Sequence, residues 1–194
     1  IHLPLQSAND RMLERMGRGY TRREYLKLVD AIRHKGPLVL TTDLICGFCG
    51  ETDEEFQDTY DLVKEMEYQA AFVFKYSERK HTIAARKYPD DIPEQVKGYR
   101  TNQIIELQKE ISLQKNQALI GTAVEVMIEG DAKKSDQQWM GHTEQNVTVV
   151  WPKGSSILFP GDLVSVSIQD ATPSTLYGIA PEKPSPPFYL KKPA

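Results

Sequence analysis

The chain has 194 residues, 40% hydrophobic and 26% charged, with a formal net charge of −3. That length suits one large domain or two small ones, and the near-neutral balance excludes the global basic field of a generic nucleic-acid binder. No apolar run approaches the ~20 residues of a membrane span, no signal peptide is visible, and two cysteines do not make a secreted disulfide framework.

The charge is unevenly spread. Residues 1–36 carry a balance of +4, residues 37–74 −8, residues 75–120 +3, residues 121–180 −4 and the tail +2. The chain starts without Met and already in a strand-like pattern, IHLPLQ, which leads us to expect a piece of a longer protein.

In chain order, residues 1–6 read as a short buried strand and NDRMLERM (9–16) as a short helix. Thr21 and Glu24 form a capping box, and Tyr25, Leu28, Val29 and Ile32 give the helix over 22–35 its apolar stripe. LVLTTDLIC (38–46) is β-rich. A second capping box, Thr52 and Glu55, starts a helix whose stripe is Phe56, Tyr60, Val63 and Met66. AFVFKYS (71–77) is another strand. Strands alternating with helices imply parallel strands with crossover helices, an α/β layout. A loop covers 78–93. A long helix follows over about 94–119, with Ile104, Leu107, Ile111 and Ala118 on its buried face.

After Gly121 the period changes. Five short strands, at 123–129, 139–143, 147–151, 163–168 and 175–179, predict a small OB-like β-barrel. The tail APEKPSPPFYLKKPA is Pro-rich and reads as extended or disordered.

Both cysteines lie in DLICGFCGET (43–52), as a Cys46-x-x-Cys49 pair. A redox pair of this spacing opens a helix, whose N-terminus lowers the thiol pKa, and this one sits on a strand-to-helix turn. A small buried hydrophobe is the commoner role of a strand-end Cys. A four-cysteine zinc site is excluded, and His2, His34, His81 and His142 show no ligand spacing. Gly47 and Gly50 flank a tight turn whose backbone N–H groups can approach a ligand, at the strand ends where α/β sheets bind ligands. Asp43 is near enough to share that pocket. Arg11, Arg15, Arg18, Arg22 and Arg23 suit phosphate but equally suit a solvated helix face. Tyr76 to Thr82 places polar groups after a strand, as many loops do.

HLPLQS (2–7), RMGRGYT (15–21), TTDLI (41–45), GFCGET (47–52), FKYSERKHT (74–82), DDIPEQVK (90–97), EISLQKNQALIG (110–121) and EGDAKK (129–134) follow one another in order. This set resembles the tRNA methylthiotransferases of the MiaB type, radical S-adenosylmethionine enzymes with a TRAM domain. The resemblance covers nearly the whole chain except the tail. It implies the second half of a radical-SAM (β/α) barrel over 1–120, a TRAM barrel over 121–180 and a tail over 181–194. Cys49 in place of the usual proline, and the departure at 77–82, resemble the eukaryotic organellar branch, whose members are named as associated with a cyclin-dependent kinase regulatory subunit. That implies mitochondrial placement if the source is eukaryotic and cytoplasmic placement otherwise.

The resemblance further implies methylthiolation of C2 of N6-isopentenyladenosine at position 37, beside the tRNA anticodon. That C2–H is beyond acid–base side chains, so cofactors must carry the chemistry. They would be S-adenosylmethionine and two [4Fe-4S] clusters of the full-length protein, whose cysteine ligands are not in this chain. Expected partners are the tRNA anticodon stem-loop and an electron donor, with a monomeric enzyme. On these terms no residue here is catalytic. Gln6, Asp43, Ile45, Gly47, Phe48 and Gly50 would face the cofactor; Arg18, Tyr20, Tyr76, Ser77, Arg79, Lys133 and Lys134 would face RNA, with Lys153 and Trp139 or Trp151 beside the last two. The competing readings are a non-catalytic RNA- or protein-binding adaptor and a dithiol oxidoreductase using Cys46 and Cys49.

Overall fold

Thr21 and Thr52 start two helices of the computed structural model, which describes residues 1–180 except 37 and 156. Each threonine hydroxyl accepts the N–H three residues on, and Glu24 or Glu55 returns a carboxylate to the threonine N–H, so two orphan donors are satisfied at each helix start. The helices are α2 (Arg22–Arg33) and α3 (Asp53–Met66). The shorter α1 (Asp10–Arg15) is capped by the Asn9 side chain.

The chain divides into two units, residues 1–111 and residues from 112 onward. In the first, β1 (Thr41–Cys46) and β2 (Ala70–Lys75) pair in parallel, from Thr41 opposite Ala70 to Cys46 opposite Lys75. Helix α3 is the crossover between them. Thr42, Leu44 and Cys46 turn to the buried side of β1, while Thr41, Asp43 and Ile45 alternate to the other. The buried side packs with Val29, Leu62, Val63 and Ile104 into one core.

Residues 1–6 run parallel to β1 but are not a continuous strand. His2 bridges Thr41 and Gln6 bridges Leu44, so four steps on one side answer three on the other. Pro4 has no N–H to give, the Leu5 N–H turns to the Thr42 hydroxyl, and Gln6 takes φ 69°. The 78–93 loop contains a further short helix, α4 (Ile83–Lys87), started by the Thr82 hydroxyl.

Helix α5 spans Glu94–Gln117. Its buried residues are Lys97, Arg100, Ile104, Leu107, Gln108, Ile111 and Asn116. The stripe thus starts with two cations, and Ala118, expected on it, is exposed. Leu28 of α2 is also exposed, because Tyr25 and Val29 define the buried face of that helix.

The second unit is a closed five-stranded barrel of β3 (Ala123–Ala132), β4 (Ser135–Thr143), β5 (Thr148–Pro152), β6 (Leu163–Ala171) and β7 (Thr175–Ile179). The order is β3-β4-β5-β7-β6, with β5 and β7 parallel and the remaining pairs antiparallel. This is an OB-like Greek-key barrel. Alternate residues Val126, Ile128, Val149, Trp151, Val164, Val166 and Ile168 fill it. Closure brings strands so near that Gly141 has no space for a Cβ, which would run into the Met127 carbonyl. Gly141→Ala is therefore expected to destabilise the barrel by about 1–3 kcal/mol, as overpacking does, measured as a lower urea midpoint.

Candidate functional site

At the carboxyl ends of β1 and β2 lies a cleft of about 470 Å³. It is within the range of small-molecule sites, and it stands where α/β sheets place ligands. Gln6, Asp43 and Ile45 come from the strand ends. Phe74, Lys75, Tyr76, Ser77 and Arg79 come from β2 and the segment after it. Arg18 closes the side after α1, with Thr82 and Ala84 opposite. Seven of the residues predicted to face cofactor or RNA thus share one cavity: Gln6, Arg18, Asp43, Ile45, Tyr76, Ser77 and Arg79.

Several of these groups are uncommitted. Gln6 is only 5% exposed, yet its carboxamide makes no hydrogen bond among the described residues. Its backbone holds a left-handed φ of 69°. The guanidinium groups of Arg18 and Arg79 likewise lie exposed at the cleft. Asp43 lies 3.4 Å from His2.

Gly47, Phe48 and Gly50 do not line this cavity. Their turn is held from inside. The Gly47 N–H donates to the Glu51 carboxylate at 2.8 Å and the Gly50 N–H to Asp91 at 2.7 Å. Those donors are thus not open to a ligand, because a buried N–H needs a partner and side chains of this chain reach it first. Both glycines have positive φ, and a Cβ would meet Lys97 at Gly47 and Arg15 at Gly50. Phe48 is buried and sits edge-on to Tyr76, with ring centroids 4.8 Å apart. Its place is behind the cleft wall.

Beneath the turn is an ionic cluster that the sequence reading missed. Arg100 donates to the Glu51 carboxylate at 2.8 Å, to its carbonyl at 3.1 Å, and to Asp53 at 2.6 Å. Burial pushes the Glu51 carboxyl up, against the opposite pull of the Gly47 N–H and Arg100. Lys97 is held by both oxygens of Asp90, at 2.5 and 2.6 Å. Arg11 pairs with Glu55 and donates to the Gly50 carbonyl, Arg15 stacks on Tyr88, and Arg22 lies 4.0 Å from Asp58. Most of the arginine cluster is therefore committed internally. Tyr20 donates its hydroxyl to the Pro4 and Leu5 carbonyls, so it holds the kinked segment 1–6.

Both cysteines are buried and unlinked. Burial pushes the Cys46 thiol up to about 12, so it is not a thiolate at neutral pH. No group of three or more His, Cys, Asp or Glu side chains among the described residues could hold a metal ion. The segment therefore does not fit an iron–sulfur cluster.

In the barrel, Lys133 and Lys134 sit exposed between β3 and β4. Trp139 pairs across the same hairpin with Asp131, and the Lys153 ammonium lies 4.3 Å from its ring centroid and 2.6 Å from the Asp131 carboxylate. Trp151 is a core residue at 1% exposure and is not part of a surface.

A parallel strand-end cleft and an OB-like barrel are the two features that define the class. The Radical SAM superfamily profile matches residues 1–63, and the TRAM domain profile matches residues 117–180. Curated relatives include the tRNA-2-methylthio-N(6)-dimethylallyladenosine synthase of Porphyromonas gingivalis, 46% identical over 95% of this chain, and that of Chlorobium limicola, 44% identical over 94%. The Chloroherpeton thalassium synthase is 45% identical over 93%. Over nearly its whole length the chain is thus similar to MiaB-type tRNA methylthiotransferases, and it carries part of the Radical SAM superfamily profile followed by a TRAM domain. It spans about 40% of the length of these relatives.

Two measurements probe the charge network. Arg100→Met strands the Glu51 carboxylate in the interior and is expected to cost about 3–5 kcal/mol in denaturant unfolding, with Glu51→Gln/Arg100→Met recovering part of it. Arg11 holds the Glu55 carboxyl below the usual carboxylate range. A lowered folded pKa stabilises above the unfolded value and is lost as pH falls through the folded one. The difference in urea midpoint between wild type and Arg11→Met is therefore expected to be full near neutrality and to shrink in acid.

Proposed function

We propose that the full-length protein methylthiolates C2 of N6-isopentenyladenosine at position 37 of tRNA, and that the cleft at the ends of β1 and β2 receives S-adenosylmethionine and the target base. The observation that carries this reading is the strand-end cleft of about 470 Å³, lined by Gln6, Asp43, Tyr76 and Arg79, in a chain that matches the Radical SAM superfamily profile. The donor set suits a ligand with a carboxylate, ribose hydroxyls and an adenine. When bound, S-adenosylmethionine supplies the radical and methyl chemistry that an unactivated C–H requires.

The residues of this chain bind and orient. Gln6 and Ser77 offer neutral hydrogen bonds, Asp43 an acceptor, and Arg79 and Arg18 charge for a carboxylate or phosphate at the mouth. Phe74, half exposed, and Tyr76 offer ring faces against which a base can stack. Ile45 supplies apolar floor. Gly47, Gly50 and Phe48 serve this site from behind, through Tyr76.

Residues 1–120 are proposed as the radical-SAM part and 121–180 as the RNA-binding TRAM part, with Lys133, Lys134, Lys153 and Trp139 as its basic–aromatic edge. The tail 181–194 lies outside the described residues. Among the described residues no helix is long and apolar enough to cross a membrane. Two [4Fe-4S] clusters, an electron donor and a monomeric state complete the proposal for the full-length protein. Mitochondrial placement rests on Cys49 and the 77–82 loop alone; the relatives compared are bacterial.

The TRAM profile over residues 117–180 supports a second reading for this segment taken alone, an RNA-binding module. A dithiol oxidoreductase is disfavoured by two buried thiols, one of them held protonated. Anaerobically reconstituted full-length protein is expected to yield the methylthio nucleoside on isopentenylated tRNA, read by mass spectrometry. Gln6→Ala and Arg79→Ala are each expected to lower the yield at limiting S-adenosylmethionine by about tenfold, the scale of one lost polar contact in a closed site. No product from the wild type would sink the reading.

A further inference from the structure

We infer that Lys97 is a positioning residue for the strand-end cleft, acting through the ring of Tyr76. The inference rests on the reading that this cleft receives S-adenosylmethionine. Lys97 lies in the first turns of α5, outside the cavity, and its side chain is 3% exposed. A lysine is almost never so buried unless paired, and desolvating its ammonium is expensive. The pairing is complete on one side, since both Asp90 oxygens accept from Nζ at 2.5 and 2.6 Å.

On its other side the ammonium lies 5.3 Å from the centroid of the Tyr76 ring, within reach of a cation–π contact. Tyr76 itself lines the cleft. The ring is backed edge-on by Phe48, and its backbone N–H donates to the Cys46 carbonyl at 2.9 Å. Lys97 is itself fixed from below, for its stem occupies the space a Cβ on Gly47 would need. The neighbouring Asp91 accepts from the Gly50 N–H, so one of two adjacent carboxylates holds the Gly50 end of the turn and the other holds the lysine packed against Gly47. A methionine would fill the same volume as the lysine stem. What the cation alone adds is neutralisation of Asp90 and attraction for the Tyr76 face. The ring orientation, and hence one wall of the cleft, depends on that charge.

The test measures S-adenosylmethionine affinity by equilibrium dialysis on the reconstituted full-length protein, with melting temperature recorded for every variant. Lys97→Met is expected to weaken binding about tenfold in the wild-type background and to leave it unchanged in a Tyr76→Ala background, because coupled residues are non-additive. A merely structural lysine would lower affinity equally in both backgrounds, and that result overturns the inference. So does a Tyr76→Ala variant that binds as well as wild type. Where Lys97→Met fails to fold, Lys97→Gln, which keeps a hydrogen-bond donor for Asp90 but carries no charge, is run through the same cycle. Failure of the wild type to bind S-adenosylmethionine overturns the cofactor reading itself, a result distinct from additivity of the two substitutions.

Discussion

The Glu51–Arg100 pair is the constraint on which the site depends. A carboxylate and a guanidinium, each almost wholly buried, meet at 2.8 Å beneath the turn that ends β1. Desolvation makes such a pair costly to form and more costly to break, so it specifies one arrangement more than it adds stability. Here the arrangement joins three parts of the chain. Glu51 holds the Gly47 N–H, Arg100 anchors α5 and also reaches Asp53 at the start of α3. With α5 fixed, Lys97 falls under Gly47 and beside Tyr76, and the cleft acquires its back wall.

This network accounts for the uneven charge of the sequence. The acidic segment 37–74 does not advertise a basic partner. Its Glu51, Glu55 and Asp58 face Arg100, Arg11 and Arg22, drawn from the two basic segments on either side. Part of the segment's charge, Glu51 and Glu55 above all, is thus paired within the fold.

What could be read from the sequence was what is local. Both capping boxes, the change of period after Gly121 and the alternation inside the barrel are set by residues within a few positions of one another, and all appear in the structure. The partners of Glu51, Gly50 and Gly47 lie as far as 49 positions away or depend on how α5 docks. Apolar periodicity found Ile104, Leu107 and Ile111 on α5's buried face but not the start of that face, because Lys97 and Arg100 occupy it where leucines would be sought. A faint signal was present: Lys97, Arg100, Ile104, Leu107 and Ile111 are spaced three and four apart, with the cations in register with the apolar residues. The Trp pair shows a different limit. Trp139 and Trp151 are direct cross-strand partners and both face inward, but only Trp151 lies deep enough to be fully enclosed. Depth along a barrel is not encoded in alternation.

The same accounting constrains how the proposed RNA would be held. Each phosphate neutralised requires an uncommitted cation, and Arg11, Arg15 and Arg22 are engaged with Glu55, Tyr88 and Asp58. In the cleft, Arg18 and Arg79 remain; on the barrel, Lys133 and Lys134 remain, while Lys153 is divided between Trp139 and Asp131. At the cleft the exposed ring of Phe74 and the wall of Tyr76 would add aromatic surface, and stacking on an unpaired base is the form of recognition those rings allow. A loop nucleotide beside an anticodon presents such a base, whereas a duplex would not.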